Sequence, residues 1–190
     1  LITHDVFNLL PIETLLFKGS PLLNIFNISR VTVVKGENSN EKTKSLDLFY
    51  ASKGNMDFSP LPSTVREVEY IKSVAHLRFP QLIDYANIKF DKKNFYKSLN
   101  SRNHNIHIAT HVKIDGNSPD HVTMLLGNGN TLSMAQIDKD IKNISLDLLV
   151  LSGCDTGALL PQSKSKQYDG LSNLFHLKGA DKVISTLWAI

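Results

Sequence analysis

The residues of this chain that carry chemistry most directly are a histidine and a cysteine, each at the end of an apolar segment. Residues 106–110 have the β-branched content of a strand and run into His111, while residues 146–152 run into Cys154. In an open parallel sheet the functional crevice lies beyond the carboxyl ends of the strands, so both side chains are expected at one edge. A free thiol has a pKa near ~8.5, and a neighbouring imidazole takes its proton or stabilises the thiolate. The pair therefore predicts nucleophilic catalysis by cysteine.

The surroundings of the pair leave two interpretations open. Gly153 and Gly157 permit tight turns on either side of Cys154, and backbone N–H groups at such turns can point at an oxyanion. No Asp or Asn is obviously placed to orient His111, so the catalytic prediction is a dyad. Against it stand the ordinary roles of the two residues, because a lone Cys at a strand end is commonly a small buried hydrophobe and a lone His is commonly structural.

Other kinds of site find less support in the sequence. His107 and His111 would lie ~13 Å apart on a strand at ~3.3 Å per residue, and one Cys without clustered carboxylates completes no metal site, even with His104 nearby. The segment 127–130 (Gly-Asn-Gly-Asn) lies between apolar runs, which predicts a hairpin, and it lacks the Lys-Ser/Thr of a phosphate loop. Ser152 lacks the Gly-x-Ser-x-Gly context of a serine nucleophile. We therefore expect no metal and no cofactor.

Composition limits the class of protein and its partners. The chain has 190 residues, of which 42% are hydrophobic and 21% charged, and this is enough for one domain with a real core. The 21 basic and 18 acidic residues give a net charge of +3 without strong clustering, so direct nucleic-acid binding is not expected. No run approaches the ~20 apolar residues of a membrane span, and Asp5 and Glu13 interrupt the apolar start. A single Cys favours a reducing compartment, so we expect a cytoplasmic protein away from membranes.

The pattern of apolar residues predicts alternating strands and helices. Strands are expected at 31–34, 46–51, 82–88, 106–110, 122–126, 146–151 and 183–188, with the hairpin between the fifth strand and a segment from residue 131. Helices are expected after capping boxes at Thr64/Glu67 and Ser133/Gln136, and at 92–99 and 169–178. The helix after Ser133 is expected to continue to Ile144, with Ile137, Ile141 and Ile144 on one side. This alternation predicts an α/β fold with a mainly parallel central sheet, helices on both faces and a small β-hairpin.

The two ends of the chain led us to expect a piece of something longer. It starts at Leu1 rather than Met and stops at Ile190, within an apolar run. We interpret residues 1–190 as a single domain from a longer chain, truncated at both ends.

The segments around His111 and Cys154 resemble those of the CHAT domain, a caspase- and separase-related family often found with tetratricopeptide repeats. The family's Ala-Thr-His-Gly block is similar to 109–112 (Ala-Thr-His-Val), and its Ser-Ala-Cys-Glu-Thr-Gly block is similar to 152–157 (Ser-Gly-Cys-Asp-Thr-Gly). Further similar blocks are 11–15, 61–69, 169–171, 178–180 and 185–188. The resemblance covers essentially the whole chain in the right order.

The resemblance implies a caspase-like three-layer α/β sandwich and a cysteine endopeptidase acting on a protein or peptide. His111 would be the general base and Cys154 the nucleophile. The backbone N–H groups of Cys154 and of a residue near Val112 would bind the oxyanion, with Gly153 and Asp155 also at the substrate site. A tetratricopeptide-repeat region or another regulatory partner is implied as well.

Departures from the family pattern support a second hypothesis. Val112 replaces the family's Gly, and a β-branched residue does not easily adopt positive φ. If the oxyanion hole needs that conformation, the chain is an inactive interaction or signalling module. Asp155 replaces Glu, and Asp155 or Asp169 near the crevice would suit a basic P1 side chain. An unrelated doubly wound small-molecule hydrolase is a third and weaker hypothesis, because no cofactor loop supports it.

Overall fold

A computed structural model describes residues 16–21, 45–115, 118–153 and 170–185. The chain divides into two compact units, residues 1–36 and 37–190. In the first unit, strands β1 (Leu16–Phe17) and β2 (Ser20–Pro21) form an antiparallel hairpin whose turn residues Lys18 and Gly19 have positive φ. The predicted strand at 31–34 lies outside the described residues.

The second unit contains eight strands and four α-helices among the described residues. In chain order they are β3 (Ser45–Tyr50), α1 (Ser63–Ala75), β4 (Gln81–Ala86), α2 (Lys92–Leu99), β5 (Arg102–Ala109), β6 (Val112–Ile114), β7 (Val122–Leu125), β8 (Thr131–Ser133), α3 (Met134–Asp140), β9 (Ser145–Ser152), α4 (Leu171–Lys178) and β10 (Val183–Ser185). Five of the strands form a sheet with the order β10-β9-β5-β3-β4, in which all four neighbouring pairs are parallel. Strands β6, β7 and β8 form a separate antiparallel sheet.

Alternation along β3 shows how the central sheet forms two cores. Leu46 and Leu48 point to one face, where they pack with Val68 of α1. Phe49 points to the other face, into a larger core that includes Phe95 of α2. Helices α3 and α4 add Ile137, Leu174 and Phe175 to this second core. The predicted three-layer α/β arrangement, a parallel sheet with helices on both faces and a small hairpin, is confirmed.

Aromatic rings fix the α2 side of the sheet. The ring of Phe49 stacks on Tyr85 of β4 with centroids 4.3 Å apart, and it meets Phe95 edge-on at 5.5 Å. Phe90 closes the group at 5.2 Å from Phe49. Burying a side chain of this size stabilises the fold by about 1.5–3 kcal/mol, so these contacts hold β3, β4 and α2 together.

The predicted hairpin and the helix after it are confirmed, with two differences. Strands β7 and β8 pair across the Gly127–Asn130 turn, and Ser133 and Gln136 form the predicted capping box at the start of α3. The helix ends at Asp140 because Ile141 is extended (φ −110°, ψ 117°), although Ile141 remains buried. Strand β6 was not predicted, since three residues directly after a His give too short a pattern.

The predicted capping box of α1 is wrong. The helix is preceded by Pro62, and no side chain caps its first turn. The Thr64 hydroxyl donates to the Leu61 carbonyl, and the Glu67 carboxylate lies against the sheet instead of reaching back to the helix start. Because the helix begins at Ser63, Thr64 lies inside its first turn and cannot act as the N-cap residue.

The last described elements agree with the predicted helix and strand. Helix α4 begins at Leu171 and ends at Gly179, whose φ of +124° and close approach to the Ile144 carbonyl leave no room for a Cβ. Residues 169 and 186–188, which complete the predicted ranges, lie outside the described part. None of the helices in the described ranges is long and apolar enough to cross a membrane.

A buried polar cluster lies near the amino ends of β3 and β5. The Ser98 hydroxyl donates to Asp47 Oδ2 and lies 3.2 Å from His104 Nε2, and each of the three residues is at most 5% exposed. Since the serine donates to the carboxylate, it accepts from the imidazole N–H. The residue types are those of a hydrolytic triad, but the hydrogen bonds run in another order and the cluster is enclosed, so its role is structural.

Burial lowers the pKa of His104 below its ordinary value of 6.5, although Asp47 and Asp147 partly oppose the shift. The folded state therefore keeps this imidazole neutral, and we expect the free energy of unfolding to fall as the pH drops below about 6.5. The loss from this one group is at most about 1.4 kcal/mol per pH unit. Chemical denaturation of the wild type and of His104→Gln between pH 7.5 and 5.5 measures it.

The expected result is a weaker pH dependence in His104→Gln. The control His76→Gln removes an exposed ring at the end of α1 and should keep the wild-type slope. Equal slopes in His104→Gln and the wild type would show that the buried imidazole makes no contribution to acid sensitivity.

Candidate active site

Strands β5 and β9 end side by side at the same edge of the central sheet. Strands β5 and β9 are parallel neighbours with Ala109 opposite Ser152. One step beyond, the Thr110 amide donates to the Ser152 carbonyl at 3.1 Å. His111 follows Thr110 directly, and Cys154 follows Ser152 by two residues, although Cys154 itself lies outside the described part. The expectation that both strands end at one edge of a parallel sheet is confirmed, and the contact between the two side chains stays a prediction.

His111 is half-buried, and a backbone carbonyl determines which of its nitrogens is the base. Its Nε2 atom lies 2.7 Å from the carbonyl oxygen of Ser59. A carbonyl only accepts hydrogen bonds, so Nε2 must carry the proton and donate it. In the neutral ring Nδ1 is then unprotonated and can accept a proton. The ring of Phe58 lies beside the imidazole, with centroids 5.3 Å apart.

The sequence analysis did not find the Ser59 carbonyl, the group that orients His111. The sequence offered no carboxylate or amide to orient His111, and the orienting group is the main chain of Ser59, which any residue type supplies. The signal that was present is Pro60, because a proline restricts the preceding residue to extended backbone. Such a residue turns its carbonyl away from local helical bonding and makes it available to a partner.

Val112 has an extended backbone and an amide that faces away from the hairpin. The Leu125 amide donates to the His111 carbonyl at 2.9 Å, and Val112 is opposite Met124. Since bonded and non-bonded pairs alternate in an antiparallel ladder, Val112 is at a non-bonded position and its N–H points away from β7. Among described residues other than glycine only Lys18 and Asn87 have positive φ, so the strain considered for Val112 does not arise here.

Beneath the strand ends, one carboxylate connects β5 to β9. Glu67 Oε1 of α1 lies 2.9 Å from His107 Nε2, and the Ser152 hydroxyl hydrogen-bonds the same carboxylate. Burial raises the pKa of Glu67, but the bonds from His107 and Ser152 and the charge of His107 outweigh it, so the pKa is below its usual value. His107 precedes His111 by four residues and Ser152 precedes Cys154 by two, so this ionised group braces both strands.

The remaining predicted site residues divide between described and undescribed parts. Gly153 is buried directly after β9. Asp155 and Asp169, like Cys154, lie outside the described residues, so their predicted roles are untested. Within the described ranges, no group of three or more His, Cys, Asp or Glu residues is arranged to hold a metal ion.

We expect Glu67→Gln to lower the free energy of unfolding by about 1 kcal/mol at pH 6–7, at the low end for a charged hydrogen bond because a third of the side chain is exposed. Since folding lowers the pKa of Glu67, this stabilisation is present above the unfolded pKa, about 4.5, and is lost as the pH falls through the folded pKa. Urea denaturation from pH 7 to pH 3.5 should therefore show the two proteins converging in acid.

The matched control for this experiment is Glu69→Gln, on the exposed side of the same helix. It should stay within about 0.5 kcal/mol of the wild type. A Glu67→Gln curve that runs parallel to the wild type into acid would contradict the proposed charge interaction.

Comparison with known proteins assigns the chain to a family. A family model described as the CHAT domain matches residues 1–190, the whole of the chain. No curated protein matches it.

Proposed function

Because this chain belongs to the CHAT domain family, part of the caspase-like cysteine peptidase superfamily, we propose that it is a cysteine endopeptidase with Cys154 as nucleophile and His111 as general base. The observation that carries the proposal is the Thr110 to Ser152 hydrogen bond, which joins the strands just before the two residues. Its substrate is a protein or peptide, and its activity is regulated by a partner or by a tetratricopeptide-repeat region.

The proposed reaction begins with proton transfer from the Cys154 thiol to Nδ1 of His111. The thiolate attacks the peptide carbonyl carbon, and collapse of the tetrahedral intermediate breaks the C–N bond while His111 protonates the leaving amine. Water then attacks the thioester, with His111 again as base, which releases the carboxylic acid and restores the thiol. The Ser59 carbonyl supports this assignment, since it holds the proton on Nε2 and leaves Nδ1 basic.

In this proposal the oxyanion is bound by the backbone N–H groups of Val112 and Cys154. The non-bonded ladder position of Val112 supports its part, because its N–H points away from β7. Gly153 lets the chain turn closely before the nucleophile. Asp155, with Asp169, would favour a basic P1 side chain by charge.

The alternative is a protein-interaction or signalling module without peptidase activity. The observation that favours it is Val112 itself, since a buried β-branched side chain stands where the family has Gly. A module of this kind would have an ordinary thiol at Cys154, and this distinguishes the two functions.

Alkylation by iodoacetamide distinguishes the peptidase from the interaction module. Because the chain has a single Cys, the modified residue is unambiguous. We expect Cys154 to react well below pH 8 and His111→Ala to slow the reaction at pH 7 by about tenfold, because a thiol of ordinary pKa is only a few per cent thiolate there. Mass spectrometry over time measures the rate. The control His76→Ala should react like the wild type, and slow reaction unaffected by losing His111 would favour the interaction module.

The proposed oxyanion role of Val112 can be tested by removing one N–H. We expect Val112→Pro to reduce turnover of a diverse peptide library by about 10²–10³-fold while Cys154 alkylation continues, since a lost oxyanion donor acts on the transition state. Proline is tolerated because the amide is at a non-bonded ladder position. Val112→Ala keeps the N–H and should keep turnover, and equal turnover in Val112→Pro would exclude this amide from the oxyanion hole.

A further inference from the structure

The Ser59 carbonyl that orients His111 is part of a tightly folded loop between β3 and α1. Gly54 lies under the stretch that carries this carbonyl. A Cβ at Gly54 would lie 2.1 Å from the Phe58 oxygen and 2.7 Å from the Ser59 carbonyl carbon. Both obstacles are backbone, so any side chain at residue 54 must displace the segment that bonds His111.

Asn55 closes the same loop from within. Its Oδ1 atom accepts from the backbone amides of Asp57 and Phe58 at 2.8 and 3.0 Å. The backbone amide of Asn55 donates to the Phe58 carbonyl at 2.9 Å. These bonds form an Asx turn, in which a side-chain oxygen takes the place of a backbone acceptor. The turn ends at the residue before Ser59 and so determines where its carbonyl points.

The loop is also attached to two neighbouring segments. Asn55 Nδ2 donates to the Gly129 carbonyl in the β7–β8 turn at 3.0 Å. The side-chain oxygen of Asn87, just after β4, accepts from the amide and hydroxyl of Ser52 at 3.0 and 3.1 Å. Because the loop is held at both sides, the Ser59 carbonyl has a defined position relative to β5.

We infer that Gly54 and Asn55 are positioning residues that hold the Ser59 carbonyl against Nε2 of His111. Gly54 does so by lacking a side chain and Asn55 by its turn-forming oxygen. Neither residue touches the reacting atoms. Their effect on catalysis rests on the proposed peptidase function, whereas their effect on the imidazole proton does not.

The direct readout is the Nε2–H proton of His111 in the full chain labelled with ¹⁵N-histidine, assigned by its loss in His111→Gln. A bonded ring proton exchanges slowly with water, so the wild type should show it near neutral pH. Gly54→Ala and Asn55→Ala should lose the signal, and their Cys154 alkylation at pH 7 should slow at least about fivefold, approaching His111→Ala.

Asn55→Asp keeps the acceptor oxygen of the turn and replaces the Nδ2 donor to Gly129 with a second oxygen, so it tests the turn apart from the attachment to the hairpin. Asn55→Asp should retain the Nε2–H signal of His111. If Asn55 acted only through its side-chain NH₂ group, this variant would lose the signal. Asn100→Ala is the matched control, because the Asn100 side chain donates to the Tyr96 carbonyl at the end of α2, remote in the fold from this loop. If Gly54→Ala does not fold, the Asn55 pair decides the question.

The inference is overturned if Asn55→Ala keeps both the ring proton and the wild-type alkylation rate, or if Asn55→Asp loses both. Its failure is distinguishable from failure of the proposed function. A wild type with an ordinary thiol but with the expected ring-proton pattern rejects the peptidase and keeps the positioning role. An activated thiol whose alkylation rate does not change in the variants of residues 54 and 55 keeps the peptidase and rejects the positioning role.

Discussion

Parallel pairing of β5 with β9 is the constraint from which the candidate site follows. Parallel neighbours end at the same edge, and the register Ala109 opposite Ser152 decides how far each strand reaches. A slip by one residue would exchange the faces of β9 and turn Leu149 and Leu151 away from the large core. The apolar contacts on both faces therefore fix the register, and the register fixes the relative positions at which the chain leaves the sheet.

Strand β5 and the two residues after it contain three histidines with three different surroundings. His104 is enclosed on the α2 face with Ser98 and Asp47, whereas His107 meets Glu67 on the α1 face. His111 lies beyond the strand, where a backbone carbonyl accepts from it. The residue type is the same, and the partner decides the role. Burial keeps the first neutral, a carboxylate anchors the second, and the third bonds a backbone carbonyl through Nε2.

Much of the fold could be predicted because its signals are local. The apolar run 146–151, the Asn-Gly turn and the Ser133/Gln136 capping box each have a short-range physical cause, and each appears in the structure. The capping box expected for Thr64 and Glu67 failed because the helix begins at Ser63, which places Thr64 inside its first turn, and Glu67 bonds a residue 40 positions away in the chain.

The candidate site was predictable only in part, for a related reason. His111 and the shared edge at which its strand and β9 end were visible in residue types and spacing. The Ser59 carbonyl was not, since a main-chain acceptor has no sequence identity, and its position depends on contacts between the β3–α1 loop and the hairpin. Val112 looked strained by comparison with Gly, but its ladder position makes positive φ unnecessary.

The attachment of His111 to the small antiparallel sheet has a consequence for local unfolding. The Leu125 amide donates to the His111 carbonyl, and the Leu125 carbonyl accepts from the Thr110 hydroxyl at 2.6 Å. Opening β7 away from this segment would break both bonds, while the His111 ring would keep its Nε2 bond to the Ser59 carbonyl. The backbone of residues 110–111 therefore opens together with β7 in one local unfolding event, so this segment is no more stable than the small sheet that holds it.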